Sequence, residues 1–126
     1  MNLARVRRGL DEERGIELIE FIGTAPMILI FGLIIWQFMV FAHCAMVTQS
    51  AAREGARAAA TYENVYGAVK TTMRDFDFTV IPGFCSGAGD MVKVRVRGKV
   101  PIIDIPFIPI PEIWTDSTGV SRCEEF

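Results

Sequence analysis

The sequence has 126 residues, 51% of them hydrophobic, with 13 basic and 15 acidic side chains and a formal net charge of −2. That length allows one small domain and one membrane element. From His43 onward nine basic and ten acidic residues nearly cancel, so the charge balance excludes an electrostatic argument for a nucleic-acid partner.

A long uncharged segment occupies the first third of the chain. The 22 residues from Phe21 to Ala42 carry no formal charge. As a helix they would extend about 33 Å at about 1.5 Å per residue, and the hydrocarbon core of a bilayer is about 30 Å thick. They also lack the polar stripe of a soluble amphipathic helix. The segment is therefore predicted to span a membrane.

The flanking charges predict how that span is oriented and processed. Four arginines precede it and no Lys or Arg follows until Arg53, which favours a cytoplasmic N-terminus and an exported C-terminal part. A secretory signal peptide has a shorter apolar region, of about 7–15 residues. A lipoprotein signal needs a small residue where His43 precedes Cys44. Two interpretations of the N-terminal segment remain: an uncleaved membrane anchor and a cleaved prepilin leader.

Two carboxylates, Glu17 and Glu20, lie at the start of the apolar segment. A carboxylate at a membrane boundary indicates a partner or a function; alternatively, Glu20 stabilises the start of the helix through its dipole. Cleavage between Gly15 and Ile16 would create an ammonium group four residues before Glu20, where the two charges can pair within one helix or between packed helices. Glycine would also place no side chain in the way of a peptidase.

These residues carry a resemblance to a known family. The chain has Gly15, Glu20, Phe21 and Pro26 in the spacing of a type IV prepilin. A second motif follows the apolar segment: Ala51, Ala52, Arg53, Glu54, Gly55, Ala56 and Arg57. Together, from Asp11 to about Ala60, they resemble the TadE/TadG-like minor pilins of tight-adherence (Flp-type) type IV pilus systems. Ile16 stands where Phe or Met is commoner. Phe21 replaces the Tyr of the major pilins, which favours a minor pilin.

The resemblance implies a processing and assembly pathway. A membrane prepilin peptidase would cleave after Gly15 on the cytoplasmic side, Ile16 would become the mature N-terminus, and Glu20 would act in assembly together with Phe21 and Pro26. The implied partners are that peptidase, the major and other minor pilins, the inner-membrane assembly platform and membrane lipid. No cofactor and no nucleic acid is implied. The protein is expected in the inner membrane and, after assembly, in the pilus.

After the span, the composition predicts helix from Ala45 to about Phe76. An apolar stripe recurs at every third or fourth residue; its members are Val47, Ala51, Gly55, Ala58, Tyr62, Val65, Val69, Met73 and Phe76. A break is expected near Thr61–Asn64, with Thr61 capping a second helix. Because the residues of the second motif are small, they leave a helix face that another helix or a sheet can approach closely. That face either packs within the subunit or receives another subunit.

Two strands are predicted beyond the turn residues Pro82–Asp90. Valines alternate with Lys and Arg from Val92 to Lys99, so the valines are expected to pack on the helix and the basic residues to face outward. That basic row either docks an acidic partner or is a solvated, edge-protecting face. Ile113–Cys123 is expected to pair antiparallel to this strand.

Pro101–Pro111 contains four prolines, which exclude a helix and a central strand. Its Ile and Phe residues suggest either a contact to a subunit or the membrane, or a cover over the small core.

Three cysteines are present, and Cys85 and Cys123 are candidates for a disulfide in an oxidising compartment; two free buried thiols are the alternative. Cys44 and the single histidine, His43, are expected at the membrane boundary without special chemistry. No spacing indicates a metal site or a catalytic constellation. A structural or binding role is therefore favoured over an enzyme.

The sequence thus predicts an α+β fold, a reduced type IV pilin layout with a long N-terminal helix packed on a small antiparallel sheet. The expected parts are a leader (1–15), an assembly helix (16–42), an amphipathic helix (43–76) and a β domain (77–126). The predicted function is a minor pilin or pseudopilin that primes or caps a pilus. One alternative is an uncleaved membrane-anchored adaptor for an extracytoplasmic partner. Another is an accessory subunit of a membrane enzyme complex with Glu20 as an ion site.

Overall fold

The structure, a computed structural model, describes the backbone of residues 3–103, 107 and 109–124, with side chains from Gly15 onward. Its elements are α1 (Leu3–Ala60), α2 (Val65–Thr72), β1 (Phe78–Ile81), β2 (Met91–Lys99) and β3 (Trp114–Arg122). The chain divides into two compact units, Met1–Gln37 and Phe38–Phe126. The predicted α+β architecture, a long apolar helix with a small antiparallel sheet, is confirmed.

The sheet has three antiparallel strands in the order β1-β2-β3. β2 pairs with β3 along its whole length, from Met91 opposite Arg122 to Lys99 opposite Trp114. Both strands predicted from the sequence are therefore confirmed, including their antiparallel pairing. β1 was not predicted, and it pairs four residues with the other side of β2.

The core lies between the sheet and the C-terminal part of α1. Val92, Val94 and Val96 are buried, and the alternate residues of β2 are exposed as far as Arg97, so the expected arrangement of valines inward and basic residues outward is confirmed. The other buried apolar residues of this core cluster come from α1, α2 and the end of β3: Ala51, Ala52, Ala56, Ala59, Ala60, Val69, Met73 and Cys123.

Two glycines allow the helices to approach the sheet closely. A Cβ atom built on Gly119 of β3 would collide with the carbonyl oxygen of Ala52 in α1. A Cβ on Gly98 of β2 would collide with the hydroxyl of Thr48 and approach the terminal methyl of Met73 to 2.9 Å. Backbone rather than side chains therefore sets the distance between α1 and β3.

The helical region breaks where the sequence predicted, but with a different cap. Tyr62 has a left-handed φ of 57°, and Glu63 N–H bonds back to the carbonyl of Ala58 at 2.8 Å, a pattern that ends α1. Thr61 was predicted to cap α2; instead its hydroxyl donates to carbonyls at the end of α1. Asn64 is the cap, and its side chain accepts from Gly67 N–H.

Two further expectations for this region need correction. Tyr62, predicted in the apolar stripe, is exposed because the chain turns there. The expected helix to Phe76 ends at Thr72, and Met73 is buried as its C-terminal cap residue.

The proline-rich segment leaves the sheet at Val100 and returns at Ile113, where Val100 N–H donates to the Ile113 carbonyl at 2.9 Å. Its described residues form neither helix nor strand, as predicted. Ile103 and Phe107 are exposed, and residues 104–106 and 108 lie outside the described residues. The assignment of this segment as a subunit or membrane contact stays a prediction.

A disulfide joins Cys85, in the loop before β2, to Cys123 after β3, with 6.0 Å between their Cα atoms. The two cysteines are separated by 38 residues in sequence. A link across a loop of that length is expected to stabilise a small domain by restricting its unfolded chain.

Replacing both cysteines, as Cys85→Ser with Cys123→Ser, should lower the free energy of unfolding by about 3–4 kcal/mol. Denaturant unfolding in detergent would measure the loss, and Cys44→Ser would report the effect of losing a thiol outside the disulfide. Peptide mapping without reductant should recover the Cys85–Cys123 pair. Recovery of free thiols at both positions after export would contradict this assignment.

Gly119→Ala should destabilise the domain by roughly 1–3 kcal/mol, since the added methyl group collides with backbone that cannot rotate away. Gly87→Ala is the matched control because a Cβ there has no atom within 4 Å. In thermal unfolding, the Gly119→Ala variant should have a clearly lower melting temperature than the Gly87→Ala variant. Equal melting temperatures would show that α1 and β3 are not in this close contact.

Candidate functional site

From Ile16 to Phe41, α1 exposes most of its apolar side chains. The most apolar 18-residue window within Gly15–Ala60 has a mean hydropathy of 2.3 and contains no buried residue. Among the described residues this is the one helix long and apolar enough to cross a membrane. Such a surface needs lipid or other helices around it.

The predicted processing site lies inside this helix. Gly15 and Ile16 both have helical backbone, and Ile16 is 66% exposed. A Cβ on Gly15 would have no atom within 4 Å, unlike those on Gly98 and Gly119. The packing of this chain therefore gives no reason for a glycine at position 15.

Glu20 and Phe21 are exposed on the same helix, Phe21 by 68%. Ile16 precedes Glu20 by four residues, which places both on one face. The Thr24 hydroxyl donates to the carbonyl oxygen of Glu20 at 2.9 Å. The site thus presents a carboxylate within an apolar, fully accessible helix surface.

Pro26 lies in the interior of α1 without ending it. Proline has no N–H, so it cannot bond the carbonyl four residues earlier, that of Ile22. A helix in lipid retains such a residue only where neighbouring groups satisfy the freed carbonyl. This position therefore weakens the helix one and a half turns beyond Glu20.

The second motif separates into a buried and an exposed set. Its small residues are buried: Ala51, Ala52, Gly55 and Ala56. Its charged residues are exposed: Arg53, Glu54 and Arg57. A Cβ on Gly55 would lie 2.9 Å from Val69 and 3.2 Å from Val94. The small residues therefore pack within this subunit, which is one of the two interpretations that the sequence left open.

A polar contact that the sequence did not reveal links α1 to β3. The hydroxyls of Thr48 and Thr115 lie 3.0 Å apart, and Thr48 donates to the carbonyl of Cys44 at 2.7 Å. The Cys44 sulfur is buried 3.7 Å from the Thr115 hydroxyl. Neither threonine belongs to a motif that the sequence reveals. The two hydroxyls meet because of the way in which α1 packs on the sheet.

The positions of the single histidine and of the acidic residues decide whether they could hold a metal ion together. His43 is exposed, and its ring lies 5.8 Å from that of Phe76. Within the described part of the chain, no group of three His, Cys, Asp or Glu side chains is placed to hold a metal ion.

Comparison with known proteins matches residues 15–57 to the family described as TadE-like protein. The matched region contains Gly15, Glu20, Pro26 and the whole second motif, and it covers 43 of 126 residues. No curated protein and no solved structure matches the chain significantly.

The family match confirms the resemblance drawn from the sequence over residues 15–57. The match is consistent with a component associated with tight-adherence pili. Residues 15–57 are TadE-like, consistent with a TadE-like protein of tight-adherence pilus systems.

Proposed function

We propose that this chain is a minor pilin or pseudopilin that acts as a structural component in assembly of a tight-adherence pilus. The observation that carries the proposal is the TadE-like match over a helix whose apolar side chains and Glu20 are exposed. A surface of this kind suits insertion among other helices. Its role is priming or capping a filament rather than catalysis.

Processing would separate the chain between Gly15 and Ile16. The two residues are helical, and a peptidase binds its substrate in extended form, so α1 must unwind there before cleavage. Glycine lowers the stability of a helix by roughly 1 kcal/mol relative to alanine, which makes local unwinding easier at this position. Easier unwinding therefore gives a reason for a glycine at position 15, whereas side-chain packing gives none.

Cleavage leaves the ammonium group of Ile16 close to the Glu20 carboxylate. Helices in lipid gain little from apolar contact with one another, because the acyl chains are equally apolar. A charge pair therefore has a large influence on their axial alignment. Pairing of Ile16 with Glu20 of a neighbouring subunit would set the stagger, and Phe21 and Pro26 would line the same contact.

In this proposal the chain has four parts with distinct tasks. Residues 1–15 form a cytoplasmic leader that is removed, and 16–42 form the membrane and assembly helix. Residues 43–76 connect this helix to the extracytoplasmic β domain of 77–126. The partners are the prepilin peptidase, the major and other minor pilins, the inner-membrane assembly platform and lipid.

The mature protein should begin at Ile16. When the chain is produced with the cognate prepilin peptidase, intact mass measurement should show the loss of residues 1–15. Gly15→Val should keep the leader, whereas Gly23→Ala, also without a neighbour within 4 Å, should be processed normally. A full-length mass in the presence of an active peptidase would contradict the proposal.

Glu20→Gln should leave cleavage intact and reduce incorporation into pili by roughly tenfold or more, since a loss of about 1.4 kcal/mol corresponds to a factor of ten. Glu17→Gln is the matched control, because Glu17 is also exposed at the start of the apolar segment. Quantitative immunoblots of sheared pili would measure incorporation. Equal incorporation of both variants would refute pairing between Ile16 and Glu20.

A second candidate is an uncleaved membrane-anchored adaptor that binds an extracytoplasmic partner. The unbroken helix across Gly15 and Ile16 favours it, since an intact helix is a poor peptidase substrate. The mass measurement distinguishes the two functions directly.

A further inference from the structure

Strand β3 runs alongside the C-terminal part of α1 in the same direction. Near the start of the strand, the hydroxyl of Thr115 lies 3.0 Å from that of Thr48. Just beyond its end, Glu124 N–H donates to the carbonyl of Ala60 at 3.4 Å. The start of β3 and the end of β2, which pair with each other, therefore lie at the lower-numbered end of this part of the helix.

That end of the sheet lies where the apolar run of α1 stops. The uncharged run ends at Ala42, and Cys44 is two residues, or about 3 Å, further along the helix. The sulfur of Cys44 lies 3.7 Å from the carbonyl oxygen of Lys99, the last residue of β2. Headgroups occupy about 5–7 Å beyond each side of the hydrocarbon core. When the apolar run spans a bilayer, the end of β2 is therefore at the level of the headgroups.

The loop that leaves the sheet at this level, residues 100–113, exposes apolar side chains. Ile103, Ile110 and Ile113 are 42%, 37% and 43% exposed. Phe107 is fully exposed and has a left-handed φ of 78°, which is unusual for a bulky residue. No residue in the described part of the chain covers its ring. The loop thus presents apolar groups that the domain itself does not bury.

Trp114, the first residue of β3, continues this apolar set. Its ring lies 5.8 Å from the guanidinium of Arg97 and 6.0 Å from the ammonium of Lys99. Arg97 also binds Asp116 at 2.8 Å, and Lys99 binds Glu112 at 2.6 Å. Tryptophan is enriched at membrane–water interfaces, where its ring contacts lipid and its N–H reaches polar groups. The position of Trp114 suits such an interface.

The charges at this end of the domain do not select anionic lipid. Both cations beside Trp114 are paired with carboxylates of the chain itself. The linker before β1 adds two exposed carboxylates, Asp75 and Asp77, and Lys99 N–H donates to the carbonyl of Asp77 at 2.8 Å. A contact here would therefore depend on apolar side chains, and zwitterionic lipid would be sufficient.

We propose that the apolar side chains of this loop, with Trp114, insert into the headgroup layer of the membrane that α1 spans. The inference rests on the membrane role of residues 16–42 in the proposed function, but it requires neither cleavage nor assembly. Lipid is the occupant because it surrounds the span at this level, whereas a protein would have to be recruited there. A second lipid contact beside α1 would also fix the tilt of the domain over the bilayer.

The test measures the depth of single tryptophans in the full-length protein. In a Trp36→Phe, Trp114→Phe background, Phe107→Trp places a tryptophan in the loop. Phe84→Trp is the matched control, because Phe84 is 86% exposed at the other end of the sheet. Its neighbour Cys85 has its sulfur 3.6 Å from the carbonyl of Ala59, which is about 22 Å further along α1 than Cys44.

Each variant is placed at one copy per nanodisc of phosphatidylcholine that carries a nitroxide near the headgroup. Quenching of the Phe107→Trp variant should exceed that of the Phe84→Trp variant by roughly twofold or more, since only the loop lies in the interface. Equal quenching of the two variants, or no quenching of Phe107→Trp, would overturn the proposal.

The native tryptophans provide a test that leaves the domain unchanged. Trp36→Phe keeps Trp114 as the reporter, and it should be quenched from the headgroup level. Adding Phe107→Ser with Ile110→Ser should reduce this quenching by roughly twofold or more, because the loop loses the apolar groups that insert. Adding Phe84→Ser should leave it unchanged. Equal quenching of Trp114 with and without the two serines would refute insertion of the loop.

Trp114→Phe keeps Trp36 and reports on the span itself. Quenching of Trp36 by acyl-chain nitroxides, without quenching of Phe107→Trp, would overturn the loop contact and leave the membrane span intact. Absence of both would overturn the span as well.

Two other occupants would give distinct results. Quenching of Phe107→Trp that requires phosphatidylglycerol would show an electrostatic contact with anionic lipid. Quenching that disappears when each nanodisc holds two copies would identify a second copy of this chain as the occupant. Either result would overturn the proposed apolar contact with zwitterionic lipid.

Discussion

The fold of the C-terminal unit depends on the contact between the backbone of α1 at Ala52 and that of β3 at Gly119. Two backbone segments approach this closely only where no side chain lies between them. The contact restricts the composition on both sides: alanine and glycine on the helix, glycine on the strand. A helix this close to the sheet leaves space for valines but not for large aromatic residues, so the core stays small. Because the core is small, we expect the disulfide to contribute substantially to the stability of this domain.

The two parts of α1 place their apolar residues in opposite environments. Large apolar side chains such as Ile16 and Phe21 are exposed on the part of this helix that is apolar enough to cross a membrane. Small residues such as Ala51 and Ala56 are buried in its last part, against the sheet of the same chain. The TadE-like region spans both parts. Its first motif is exposed, and the small residues of its second motif are buried against the sheet.

The elements that can be predicted from the sequence are those with one dominant period or composition. The alternation of Val92–Lys99 predicted β2 and its buried face, and the charge-free run predicted the apolar helix. β1 was missed because four residues beside Pro82 carry no independent signal; their pairing with β2 creates the strand. The cap of α2 was assigned to Thr61 because the left-handed turn at Tyr62 is unusual for a residue other than glycine. The sequence does not indicate that position 119 requires glycine. The atom that excludes a side chain there is a carbonyl oxygen 67 residues earlier in the chain.

The burial of Cys44 restricts which disulfides the folded chain can form. Three thiols permit three intramolecular pairings, of which two would misconnect the domain. Once α1 rests on the sheet, the Cys44 sulfur lies beneath Lys99 and Thr115 and is shielded from an oxidant or an exchanging thiolate. A chain in which α1 has packed on the sheet therefore has Cys85 and Cys123 as its pair for disulfide formation, and mispairing with Cys44 would require α1 to be unpacked.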